Sequence, residues 1–214
     1  MRALVILVMI FSVSNAFAAP LKLNYSLFFG YMKTTFKLDH KFVSTVFYLR
    51  DVEHATNCQI QKAEMVVDNK HKAIGFTQDG QLMPFFSDQW RKDGAMIEVT
   101  LKEAQQCALV VQTMAKTEAL QDLDYARLKD IRSQLESTYK KNAGMIGKYF
   151  VPEFLGVRLQ LGSVLSASER QRLSAQMQLA EDGALLMSNA SIEIVDATTP
   201  INLNIVGILP WIAH

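Results

Sequence analysis

The residues able to do chemistry are few and scattered. Four histidines (His40, His54, His71 and His214) and two cysteines (Cys58 and Cys107) are the whole supply of imidazole and thiol. His54 and Cys58 stand four residues apart, a spacing that on a helix would put two metal ligands on one face. Yet the stretch between them is polar and runs into a strand pattern. No second ligand pair follows at zinc-like spacing, and H-E-x-x-H is absent. His40, inside Asp39-His40-Lys41, reads as a solvated turn residue. The cysteines are far apart rather than C-x-x-C, which argues against a redox-active pair. No G-x-S-x-G elbow presents a serine nucleophile. Asp122 and Asp124 stand at a predicted helix start, where carboxylates favour the helix dipole more often than they cleave glycosides. G-x-G-x-x-G and P-loop patterns are missing as well. The sequence therefore designates no catalytic residue, no cofactor and no metal ligand. Two tryptophans stand out instead. Trp90 lies in the hydrophilic stretch SDQWRKDG and Trp211 ends the last strand pattern; each reads either as a recognition platform or as the lid of a core.

The N-terminus sets the compartment in which these residues must be judged. MRALVILVMIFSVSNAFAA has a cation at Arg2, an apolar run over residues 3–13 and the A-x-A signal Ala16-Phe17-Ala18. A spanning helix needs about 20 apolar residues, and this run is roughly half that. Residues 1–18 are thus expected to be a signal peptide cleaved after Ala18, leaving no membrane anchor on an exported chain. Of 22 basic and 21 acidic residues, loss of Arg2 leaves 21 of each. A neutral mature chain has no electrostatic reason to seek nucleic acid. In an oxidising compartment two lone cysteines are expected to form a structural disulfide, Cys58 to Cys107. Closing a loop of about 50 residues is worth roughly 4 kcal/mol in the chain-entropy account.

The elements that would hold these residues follow from periodicity. After Asn24 or Ser26 as cap, Leu27, Phe28, Tyr31, Met32 and Phe36 mark one face of a short helix. Strands are predicted over 42–49, 58–67, 72–78, 81–86, 94–101 and 109–114. Ile97, Val99 and Leu101 point to one side of theirs, and Asp79-Gly80 forms a tight hairpin turn. Residues 87–94 read as a charged loop. A helix over 124–142 carries Leu128, Ile131, Leu135 and Tyr139 inward, with Gly144 as its terminal glycine. After a strand at 157–161, Ser166 and Glu169 form a capping box opening a helix that carries Leu173, Met177 and Ala180 and stops near Gly183. Two strand patterns close the chain: 185–195, interrupted at Ser188-Asn189, and 201–211, with Ile201, Leu203, Ile205, Leu209 and Trp211 on one face. This is an α+β protein. A β-rich antiparallel sheet or small sandwich over 19–116 precedes a mixed helix and strand part over 117–214, as two units or one continuous domain, with the seam near 116–120.

The runs LNYSLFFGYM and FVSTVFYLR, then DGQLMPFF and DGAMIEVTL, and the closing INLNIVGILPWI resemble an uncharacterised family of exported gammaproteobacterial proteins that carries only a domain-of-unknown-function label. The likeness spans nearly the whole mature chain. It implies a Gram-negative periplasmic setting and brings no activity or site residues. The leading expectation is a non-enzymatic binding or interaction module whose partner is another envelope protein or a small ligand. The alternative is an envelope hydrolase with its site at the seam. An assembly factor that lends a sheet edge to another chain is a third class, and a long uncovered edge strand would favour it.

Overall fold

The structure, a computed structural model, describes residues 20–213 other than 55, 103–104 and 148–149. The segment read as a signal peptide lies outside the described residues, as does His214. Three antiparallel four-stranded sheets and five helices make an α+β fold.

The first sheet has the order β1-β7-β3-β4, formed by Leu21–Asn24, Met96–Leu101, Ile60–Val67 and Lys70–Ala73. The second is β5-β6-β2-β8, formed by Gly75–Phe76, Gln81–Met83, Val43–Asp51 and Cys107–Ala115. One core joins them to helix α1 (Ser26–Leu38): Tyr25, Phe28, Phe47, Leu49, Met65, Ile97 and Val99 are buried together. Ile97 and Val99 point inward as their alternation requires, while Leu101, the last residue of β7, is half-buried. Cys58 and Cys107 form the expected disulfide, with Cα atoms 6.4 Å apart. It ties the lead-in to β3 in the first sheet to the first residue of β8 in the second.

The Asp79-Gly80 hairpin joins β5 to β6. Its form is a three-residue loop: the Gly80 N–H donates to the Thr77 carbonyl and the Thr77 N–H to the Gln81 carbonyl, with Gly80 at φ 78°. Only glycine fits there. A Cβ would lie 2.7 Å from the Cys58 carbonyl oxygen, and the Leu49 N–H donates to the Gly80 carbonyl. The hairpin tip is thereby wedged against β2 and the disulfide segment.

The third sheet has the order β10-β11-β9-β12, formed by Gln178–Leu179, Leu185–Ser188, Phe154–Leu161 and Ile205–Ile212. It packs on helix α3 (Tyr125–Gly147), whose Leu128, Ile131 and Leu135 meet Leu159, Met187 and Ile208 in a second core. The helical backbone of α3 is broken at Gly144, φ 74°. Val43 and Ala115, paired at one end of the β2–β8 ladder, belong to this second core, whereas Phe47 and Leu49 on β2 belong to the first. The ladder runs through both. Its outer strand β8 lies beside β12, so the two longest edge strands face each other. The remaining edges, β1, β4, β5 and β10, are two to four residues long.

Several sequence expectations change. The β-rich part keeps to the small sandwich expected, two antiparallel sheets on one core, but gains β1 as an edge strand that the sequence pattern did not mark. Residues 87–94 are not all loop: the Ser87 hydroxyl accepts the Trp90 N–H and starts helix α2 (Asp88–Lys92). The capping box opens helix α4 as predicted, but α4 spans only Ala167–Leu173. The Leu173 carbonyl receives the N–H groups of both Gln176 and Met177, and the chain then turns into β10. That strand pairs with β11 across a turn at Gly183, φ 84°. Pairing across an Asp-Gly turn overrides the helical periodicity. Residues 189–194 are helix α5 (Asn189–Ile194), capped by the Ser188 hydroxyl, rather than a continued strand. The last strand starts at Ile205 and carries a register shift between Ile205 and Gly207, so Ile208, outside the predicted face, is fully buried.

Candidate functional site

Helix α1 does not bury the face its spacing suggests. Phe28 and Phe29 are buried, whereas Leu27, Tyr31 and Phe36 are exposed, Phe36 at 72%. The reason is Tyr25, one turn before Phe28 and Phe29, which anchors the helix in the first core. Its hydroxyl donates to the Phe85 carbonyl at 2.8 Å and accepts the Ser87 N–H at 2.9 Å. Burial holds this phenol above the ordinary tyrosine range, although the Ser87 hydrogen bond pulls the other way. Both bonds fix residues 84–87 against α1, so that Phe85 turns inward and Phe86 outward.

Two aromatic groups result. On the inner side, Phe85 meets Trp90 edge to face, with centroids 5.5 Å apart, and the Lys72 ammonium lies 4.0 Å from the Phe85 centroid. On the outer side, Phe86 stacks on Phe29 at 4.8 Å and on Phe36 at 5.5 Å, both nearly parallel. The Arg91 guanidinium lies 4.9 Å from the Phe29 centroid and the Lys33 ammonium 6.0 Å. Arg91 is oriented by Asp88, which also pairs with Lys92 at 2.8 Å. Lys92 first and Arg91 second hold the Asp88 carboxyl below its ordinary range. The product is a phenylalanine stack that reaches solvent, flanked by cations. Offset ring stacking and cation–π contact each add about 0.5–1.5 kcal/mol where they are partly shielded from water.

The tryptophans are not brought together. Trp90 is half-buried and packs against the first core beneath this surface. Trp211 lies on β12, opposite Gly156 of β9, and lines a small cavity of about 140 Å³ with Gln176, Met177, Ser188 and Ser191. The disulfide takes Cys58 from any metal partnership with His54, whose Nδ1 instead lies 3.2 Å from Asp51 Oδ1. Asp51 is buried at the end of β2 and accepts the N–H groups of Glu53 and His54. These bonds, His54's first, hold its carboxyl below the ordinary range. His71 faces Glu64 at 3.4 Å. At the seam the Lys116 ammonium donates to the His40 carbonyl; burial and then the Lys116 charge lower the His40 imidazole. Among the described residues no group of three or more His, Cys, Asp and Glu side chains could hold a metal. Asp124 serves as a cap, accepting the Arg127 N–H at the start of α3.

Sequence reasoning missed Phe86 and Arg91 as members of a surface. The signal was present in the pair Phe85-Phe86: two consecutive aromatics in an extended segment point to opposite sides, so one of them must face out.

Residues 17–161 match the family described as "Protein of unknown function (DUF2987)". The chain belongs to this family. The DUF2987 stretch contains α1, the 84–87 segment, α2 and both cysteines, and ends at Leu161 with β9. The closing run INLNIVGILPWI lies beyond it. No curated protein and no solved structure matches the chain.

Proposed function

We propose that this DUF2987 protein is exported to the periplasm and acts there, without catalysis, as an interaction module that docks another envelope protein on the α1–α2 surface. The observation that carries the reading is the solvent-reaching stack of Phe29, Phe86 and Phe36 with Arg91 and Lys33 beside it. A ring as exposed as Phe36 contributes little to the fold, while aromatic and arginine side chains supply most of the binding energy at protein interfaces. Cations at the rim call for carboxylates on the partner, around an apolar side chain that lies on the rings. Helix α1 itself carries Lys33 and Lys37 and no acid. Strand addition receives less support, because the long edges β8 and β12 face each other and the others are short. The hydrolase reading receives less support: at the seam Lys116 engages the His40 carbonyl, and the His40 imidazole Nε2 makes no hydrogen bond to a hydroxyl or thiol among the described residues.

Export is tested by mass spectrometry of protein purified from its host, with a mature N-terminus at Ala19 or Pro20 as the expected result; intact Met1 in a membrane fraction would contradict it. Docking is tested by placing a photo-crosslinking residue at position 36 in living cells. A discrete adduct with one envelope protein is expected. It should vanish with Phe86→Ala and weaken with Arg91→Gln. An adduct pattern unaffected by both changes would refute docking through this surface.

A further inference from the structure

Independently of the α1–α2 surface, we infer that the cleft between the end of α4 and the 195–203 segment binds a small apolar carboxylate. The cleft has a volume of about 360 Å³, within the range of about 300–1,000 Å³ usual for small-molecule sites. Its walls are anchored. One wall is Leu173, Gln176 and Met177, where the chain leaves α4 under two hydrogen bonds to the Leu173 carbonyl. The opposite wall is held to the start of α3 by the Ile201 N–H on the Leu123 carbonyl at 2.8 Å and the Tyr125 N–H on the Thr199 carbonyl at 3.2 Å. Tyr125 bridges the two.

The lining chemistry selects the ligand. Leu173, Met177, Ile201 and Leu203 offer an apolar bed. Arg172 is the one charged residue in the lining, and no carboxylate or imidazole accompanies it. Its guanidinium makes no hydrogen bond or ion pair with a described residue. Glu169, one turn earlier, accepts from the Ser166 hydroxyl and N–H in the capping box and feels the Arg172 charge without forming an ion pair with it. A guanidinium with free N–H groups at the mouth of an apolar cleft matches a carboxylate, which takes two parallel hydrogen bonds from it.

A second group points the same way. Tyr125 is only 4% exposed, and its hydroxyl reaches Gln176 Oε1 at 3.4 Å, the outer limit of a hydrogen bond. A buried hydroxyl so weakly engaged retains a donor for a ligand oxygen. Burial pushes its ionisation upward, so it stays protonated and keeps that donor. Leu173, Gln176 and Met177 belong to neither the DUF2987 stretch nor the first core, so this site is separate from the docking surface.

Trp211 supplies a reporter, because the cavity it lines shares Gln176 and Met177 with the cleft. In a Trp90→Phe background, Trp211 fluorescence is titrated with octanoate and 3-phenylpropanoate, and with octanol and octylamine as neutral and cationic counterparts. Calorimetry on the unmodified chain provides a second readout. At least one carboxylate is expected to bind saturably, about tenfold or more tighter than octanol. Arg172→Gln, on an exposed side chain and so compatible with folding, should remove that preference and leave octanol binding as it was. Tyr125→Phe should weaken the carboxylate severalfold. The inference is overturned if neither carboxylate binds saturably, if octanol or octylamine binds as well as both, or if Arg172→Gln leaves carboxylate affinity unchanged.

Discussion

Replacing both cysteines by alanine tests the organisation of the first core. The bond joins the lead-in of β3 to the first residue of β8, so it links one sheet to the other. It closes a loop with a sequence separation of 49 residues, for which the chain-entropy relation gives about 4 kcal/mol near room temperature. Cys58 is fully buried, and a sulfur-sized void there adds about half a kcal/mol. For a chain of this size each kcal/mol moves the thermal midpoint by about 2–4 °C, so the double variant should melt roughly 8–18 °C lower. Urea unfolding should show a larger slope as well, since the uncrosslinked unfolded chain exposes more surface. Thermal and urea unfolding of the oxidised protein, the dithiothreitol-reduced protein and Cys58→Ala with Cys107→Ala provide the comparison. The reduced form should track the double variant, because both lose the same loop constraint. A double variant with the midpoint and slope of the oxidised protein would refute the reasoning: the two sheets would then be held by their shared core alone.

Two further predictions concern the same region. Ile97→Ala should cost about 2–4 kcal/mol, and Leu101→Ala clearly less, because β7 buries the first completely and leaves the second half-exposed at its end; equal shifts in the urea midpoint would contradict the register. Asp51 is held below its ordinary range by the His54 and Glu53 N–H groups, so its contribution to stability is present above the unfolded aspartate range and is lost as pH falls through the folded value. Asp51→Asn should therefore be less stable than the natural protein at neutral pH, and the gap should close below about pH 4; a gap that stays constant down to about pH 2 would show that the carboxylate charge is not what these N–H groups stabilise.

What the sequence determined by itself was local. Alternation put Ile97 and Val99 inside, the 3.6-residue period put Leu128, Ile131 and Leu135 inside, and Ser166 with Glu169 started α4, because each depends on neighbours a few residues away. The disulfide was readable too, since the chain has two cysteines, too far apart for a redox motif, and each has the other as its one possible partner. What the tertiary structure decided was competition between such local signals. Residues 174–180 continue a helical pattern, yet pairing of Gln178 and Leu179 with β11 satisfies their backbone groups across the Gly183 turn and ends the helix. A one-residue shift between Ile205 and Gly207 moved Ile208 into the core, which no alternation rule anticipates because a bulge exchanges the faces beyond it. The candidate surface belongs to this second kind in its assembly: the Phe85-Phe86 pair marks one ring as outward-facing, but not what that ring meets. Phe36 stands 50 positions before Phe86 in the chain, and the two hydrogen bonds of the Tyr25 hydroxyl to residues 85 and 87 hold the segment carrying Phe86 against α1, where the two rings stack and Arg91 lies beside them.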